Sequence, residues 1–121
     1  MKFKIDTKEK MHVITVEEEK LTANMTADVE DMISSLKNDE VKNVVINLKE
    51  VTELDETIAK LLANIQQVYH ENNHSLVFCN ISKPVESFLD DLELFEVMNV
   101  TPTESEAWDI VQMEEIEREY L

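Results

Sequence analysis

The segment His70-Glu71-Asn72-Asn73-His74 carries the residue types and spacing of a zinc-hydrolase helix. Two imidazoles one turn apart would hold the metal, and the glutamate beside the first would act as general base. Glu93 is the candidate third ligand. That chemistry needs a helix running through both histidines. Here Asn72-Asn73 interrupts it, and an apolar strand begins within two residues of His74. The reading therefore favours a polar helix end, where an imidazolium is electrostatically welcome, over a metal site. Other chemistry has less support. With 27 carboxylates in 121 residues, close acidic pairs arise from composition alone. No serine sits in a nucleophile elbow, and three histidines leave little for a hydrolytic triad. Cys79, the lone cysteine, lies in the apolar run Leu76-Val77-Phe78-Cys79 and reads as a buried structural thiol.

The chain contains no glycine, where an average composition would supply about eight. Phosphate-cradling and dinucleotide-binding loops need glycine for close backbone approach, so neither can be written here. No nucleotide or metal cofactor is expected. Turns requiring positive φ must use Asn or Asp, and Asn38-Asp39, Asn72-Asn73, Asn80 and Asn99 fall between the periodic segments.

Those segments follow one another simply. Phe3 to Asp6 and His12 to Glu17 alternate as the two strands of a hairpin around Lys8-Glu9-Lys10. Met25, Val29, Met32, Ile33 and Leu36 recur at helical spacing, with Thr22 or Asn24 as the expected cap. Val44 to Leu48 is the β-branched run of a strand buried on both faces. A second helix capped by Asp55 should bury Ile58, Leu61, Leu62, Ile65, Val68 and Tyr69. Leu76 to Ile81 is the next strand, and Ser82-Lys83-Pro84 opens a short helix carrying Val85, Phe88, Leu89 and Leu92. Val97 to Val100 reads as a last strand. The capping box Thr103-Glu104-Ser105-Glu106 then starts a long helix with Ala107, Trp108, Val111 and Ile116 inside. The order ββαβαβαβα predicts a single α/β domain over residues 1–121, a mixed sheet with helices packed on it.

Charge narrows the partners. Eleven basic against 27 acidic residues give a net charge of −16, which repels nucleic acid and anionic membranes. No window approaches the roughly 18 apolar residues of a membrane span and no leader is legible, so a cytoplasmic location without membrane insertion is expected.

The run Val45-Ile46-Asn47-Leu48, Val51 and Leu54-Asp55, followed by a helix and then Leu76-Val77-Phe78-Cys79-Asn80-Ile81-Ser82, resembles the STAS domain of bacterial anti-sigma-factor antagonists. The resemblance is carried from about Val41 to Phe95. It implies the same ββαβαβαβα fold and a non-enzymatic regulator that captures a protein partner, often a serine kinase acting as anti-sigma factor. It also implies a phosphoserine switch at the start of the second helix. In the family motif Asp is followed by the acceptor serine, a second Ser or Thr, and Gly. Here Asp55 is retained, Glu56 takes the acceptor position, Thr57 keeps a hydroxyl and is the candidate phosphoacceptor, and Ile58 replaces the glycine.

Glu56 supplies a permanent negative charge where a phosphate would add nearly two. It also suits any first helical turn, and both readings stand. A second departure lies at Lys20-Leu21-Thr22-Ala23, the partner-facing loop, where relatives carry Gly-Glu-(Ile or Leu)-Asp. The resemblance leaves an alternative role as an accessory subunit of a membrane transport complex, since STAS domains also serve there. A zinc hydrolase built on His70, Glu71 and His74 is the remaining alternative.

Overall fold

The computed structural model describes residues 1–120. Its sheet grows outward from β4 (Asn43–Asn47), buried at every position as its β-branched run predicts. Strands β2 (Met11–Val16) and β6 (Leu76–Cys79) flank it, both parallel to it. Strand β1 (Phe3–Thr7) pairs antiparallel with β2, setting Phe3 opposite Val16 and Thr7 opposite His12. At the other edge β7 (Val100–Thr101) runs parallel to β6, giving the order β1-β2-β4-β6-β7. The final strand is shorter than the predicted 97–100 and begins at its end. Val97 itself is 67% exposed.

Successive parallel strands step across the sheet in one direction, so same-handed crossovers put their helices on one face. Helices α1 (Thr26–Ser34), α2 (Glu56–Glu71) and α3 (Lys83–Asp91) lie there. Val29 and Met32, Ile58 and Leu62, and Val85 and Leu89 pack with Ile14, Val44, Ile46, Leu76 and Phe78 into the main core. Because side chains alternate along a strand, Met11, Val13, Val45, Val77 and Cys79 face the other way. Among the described residues, only α4 (Glu104–Glu119) covers them, through Ala107 and Val111.

Polar groups complete this second interface. At one end the Asn47 amide donates to Glu104 at 3.3 Å. At the other the Asn43 amide donates to Glu115 at 2.6 Å and the Ser75 hydroxyl to Glu114 at 2.6 Å. The Arg118 guanidinium donates to Ser75 Oγ at 3.2 Å and to Asn43 Oδ1 at 3.4 Å. Ile116, expected inside, is 54% exposed because these bonds turn the opposite side of α4 toward the sheet.

The helix ends show how a glycine-free chain turns. At the end of α2 the Asn73 and His74 amides donate to the Tyr69–His70 carbonyls, Asn73 to His70 at 3.1 Å and His74 to Tyr69 at 2.9 Å. At the end of α3 Glu93 donates to Asp90 and Leu94 to Leu89, both at 2.9 Å. Each pair is a Schellman cap, which needs a left-handed residue at its corner. Asn73 supplies φ 61° and Glu93 φ 60°. Asn80, at φ 56°, turns the chain out of β6. Glutamate carries no preference for this region, and no sequence signal announces it.

Starts differ from expectation in detail. Ser82 precedes α3, but its hydroxyl donates to the Val51 carbonyl at 3.1 Å instead of being used as a cap acceptor. The Thr103 hydroxyl does accept the Glu106 amide, at 3.2 Å, and bonds the Glu106 carboxylate in turn. Neither Thr22 nor Asn24 caps α1; the two bond each other, and a single 3-10 turn, Ala23–Met25, precedes the helix.

Candidate functional site

The segments nominated as partner-facing meet around one carboxylate. Asp55 caps α2 as predicted, its Oδ1 accepting the Ile58 amide at 3.0 Å. Its Oδ2 accepts the Ala23 amide at 2.6 Å. A single side chain therefore satisfies orphan donors at two helical starts far apart in sequence. Backbone pairing reinforces it. Lys20–Leu21 (β3) and Glu53–Leu54 (β5) form a separate two-stranded parallel ladder, Lys20 opposite Glu53 and Leu21 opposite Leu54. The Thr52 and Glu53 amides donate to the Glu19 carbonyl at 2.8 and 3.1 Å, and the Asp55 amide donates to Leu21 at 3.1 Å. Two-residue strands carry no periodicity, so this ladder is invisible in the sequence.

The eight nominated residues divide by burial. Leu21 and Ile58 are fully buried in the main core and present nothing to a partner. Ile58 anchors the first turn of α2 from beneath. Asp55 and Thr22 are half-buried, and Lys20, Ala23, Glu56 and Thr57 are exposed. The Glu56 carboxylate lies 3.5 Å from Lys60 one turn along, an exposed pair worth about 0.3–0.5 kcal/mol. Its negative charge and the Thr57 hydroxyl thus stand at the positive end of the α2 dipole.

The histidine segment has the geometry its asparagines predict. Helix α2 ends at Glu71, and the Schellman cap at Asn73 carries His74 off the helix. His70 and His74 do not share a helical face. Glu93 caps α3, and no three His, Cys, Asp or Glu side chains among the described residues converge as metal ligands. Cys79 is buried beneath α4; desolvation first, and the charge of Glu104 second, push its thiol up to about 12. No helix among the described residues is long and apolar enough to cross a membrane.

A mixed sheet with three crossover helices on one face and one terminal helix on the other, with a charged helix start on a small rim, defines a small single-sheet α/β fold. The chain belongs to the STAS domain family, which it matches over residues 2–107. Among curated sequences no relative matches it. Solved structures carry the same fold at low identity. A serine-to-glutamate variant of RsbS from Moorella thermoacetica is 18% identical with a TM-score of 0.76, covering 93% of this chain and 96% of that one. The Bacillus anti-sigma factor antagonist SpoIIAA, in its unphosphorylated form, is 17% identical with a TM-score of 0.71, covering 92% and 96%. The murine Solute Carrier 26 family A9 anion transporter is 17% identical with a TM-score of 0.73 over 86% of this chain, which corresponds to 18% of the transporter.

Proposed function

We propose that this chain is a non-enzymatic, cytoplasmic STAS module, a single domain over residues 1–121, that captures a protein partner in a partner-switching pathway. Its partner surface is centred on Asp55, Glu56 and Thr57, with Lys20, Thr22 and Ala23 on the adjoining loop. The observation that supports this reading is the pair of hydrogen bonds that the Asp55 carboxylate accepts from the Ala23 and Ile58 amides. It ties the two segments into one rim and leaves Glu56 and Thr57 outward. The partner is an anti-sigma factor of the serine-kinase type. Glu56 stands where relatives carry the regulatory phosphoserine, so the charge that phosphorylation would switch is permanent, and Thr57 is the remaining phosphoacceptor. A chain of charge −16 selects a basic partner surface, and capture should weaken as salt rises.

Baits of wild-type protein, Glu56→Ser and Glu56→Lys, drawn through host lysate and read by mass spectrometry, test this. Recovery of a kinase-like ATPase by wild type or, more strongly, by Glu56→Ser supports partner switching. Glu56→Lys should abolish capture while leaving circular dichroism unchanged, and undiminished capture by that variant overturns the assignment. Phosphate found on Thr57 in protein isolated from its host would show a surviving switch. The fold shared with an anion transporter favours one second reading, an accessory subunit of a transport complex. Recovery of transporter subunits by all three baits would establish it.

A further inference from the structure

Away from the Asp55 rim, a groove of about 370 Å³ runs between the C-terminal ends of α1 and α2. Its walls are the apolar parts of Ile33, Leu36, Val68 and Tyr69. Val68 belongs to the predicted buried stripe of α2, yet it is 46% exposed because it opens onto this groove. Tyr69 also lines this wall, and burial pushes its phenol up from its ordinary value.

The charges at the mouth are unlike those of the molecule as a whole. Acidic residues outnumber basic ones 27 to 11 in the chain, yet the groove is lined by Lys37, Lys42 and His74 and by no carboxylate. Neither lysine takes part in an ion pair among the described residues. Lys42 is held in place, its Nζ donating to the Lys37 carbonyl at 2.9 Å. The adjoining hollow, which shares Lys42 and His74, is lined by the four acids Glu9, Glu40, Glu115 and Glu119 and by Lys10 and Arg118, of which Lys10 is paired with Glu115 at 3.6 Å and Arg118 donates to Ser75 and Asn43. Those acids would turn an anionic group back toward Lys37 and Lys42.

We propose that this groove binds a small amphiphilic anion, an aliphatic chain bearing a carboxylate, with the chain against Val68, Ile33, Leu36 and Tyr69 and the headgroup between Lys37 and Lys42. The volume lies within the range of small-ligand sites, whose apolar walls supply affinity and few charges fix orientation. Charge complementarity decides the occupant. A neutral alkane would leave both ammonium groups uncompensated, and a cation would be repelled by them.

The test titrates the full-length protein with sodium octanoate, octan-1-ol and sodium acetate, following Ile33 and Val68 methyl shifts by NMR. Octanoate should give saturable shifts, the alcohol weaker binding, and acetate none at these methyls. The double variant Lys37→Glu/Lys42→Glu should weaken octanoate roughly tenfold while sparing the alcohol. Lys83→Glu, on α3, changes net charge by as much per site and should leave affinity unaltered. Val68→Asp, at a 46% exposed position, should abolish both while leaving the circular dichroism spectrum unchanged. Non-saturating shifts, equal affinity for octanoate and octanol, or an octanoate affinity unmoved by the lysine reversals would each overturn the proposal.

Discussion

The two faces of the central sheet are held by different physics. Toward α1, α2 and α3 the strands offer Ile14, Val44, Ile46, Leu76 and Phe78 to an apolar core fed by three helices. Toward α4 they offer a narrow apolar centre, Val45 and Val77, bounded by Asn43, Asn47 and Ser75, which α4 meets with Glu104, Glu114, Glu115 and Arg118. Burial of hydrocarbon is non-directional and tolerates small shifts, whereas a row of buried hydrogen bonds fixes register and leaves costly orphans if broken. The first face supplies most of the stability; the second specifies where the terminal helix sits.

Substitutions can separate these contributions. Phe78→Ala removes a fully buried ring from the larger core and should cost about 3–5 kcal/mol in urea unfolding, the largest effect expected. Asn43→Ala should cost about 2 kcal/mol, since it strands the Ser75 amide and leaves Glu115 and Arg118 without their buried partner. Equal losses for the two would erase the distinction between the faces. Glu93→Gly should raise stability by about 1 kcal/mol, because glycine bears no penalty at the left-handed corner where glutamate now stands. No gain in melting temperature would show that the Glu93 side chain compensates for its backbone.

Cys79 probes the α4 face by pH. Its thiol is pushed up to about 12 in the folded protein from an ordinary 9.0, so above pH 9 the unfolded chain loses a proton that the folded chain keeps. Unfolding is then favoured as pH rises from about 9 to about 12, and below pH 9 the group makes no difference. Cys79→Ala should therefore flatten the alkaline limb of the stability curve, and an identical limb in both proteins would contradict the burial of this sulfur under α4. The smallest effect is expected at Glu56→Lys, about 0.5–1 kcal/mol, since the exposed pair with Lys60 becomes a like-charge pair and a cation replaces the acid in the first turn of α2. A larger loss would make the helix start structural and separate it from the outward rim.

The contrast between the faces also explains what could be read in the sequence. Continuous β-branched runs and helical spacing at Val29, Met32, Ile58, Leu62, Val85 and Leu89 made the larger core legible, and Asp55 announced the start of α2 by its type and place. The α4 face was not legible in the same way. Its fastening uses polar residues at strand ends, which look like ordinary surface residues until the sheet aligns Asn43 with Ser75. Ile116 was expected inside for that reason. At the site, Asp55, Glu56 and Thr57 stand out as helix-start residues, but the second bond of Asp55 joins it to Ala23, a residue 32 positions away with no polar side chain. Leu21 and Ile58 were nominated by alignment to a motif; helical spacing already placed Ile58 inside, and Leu21, in a two-residue strand without periodicity, goes into the core by its size.

The β3–β5 ladder gives this surface a clock. The amides of Thr52, Glu53 and Asp55 are tied to the Glu19 and Leu21 carbonyls, while Glu56 and Thr57 stand exposed beside them. A two-residue ladder opens far more often than the five-strand sheet, so these three protons should exchange with deuterium early, well before those of β4. Their lifetimes report the integrity of the rim residue by residue, and a ligand that clasps both segments will lengthen all three together.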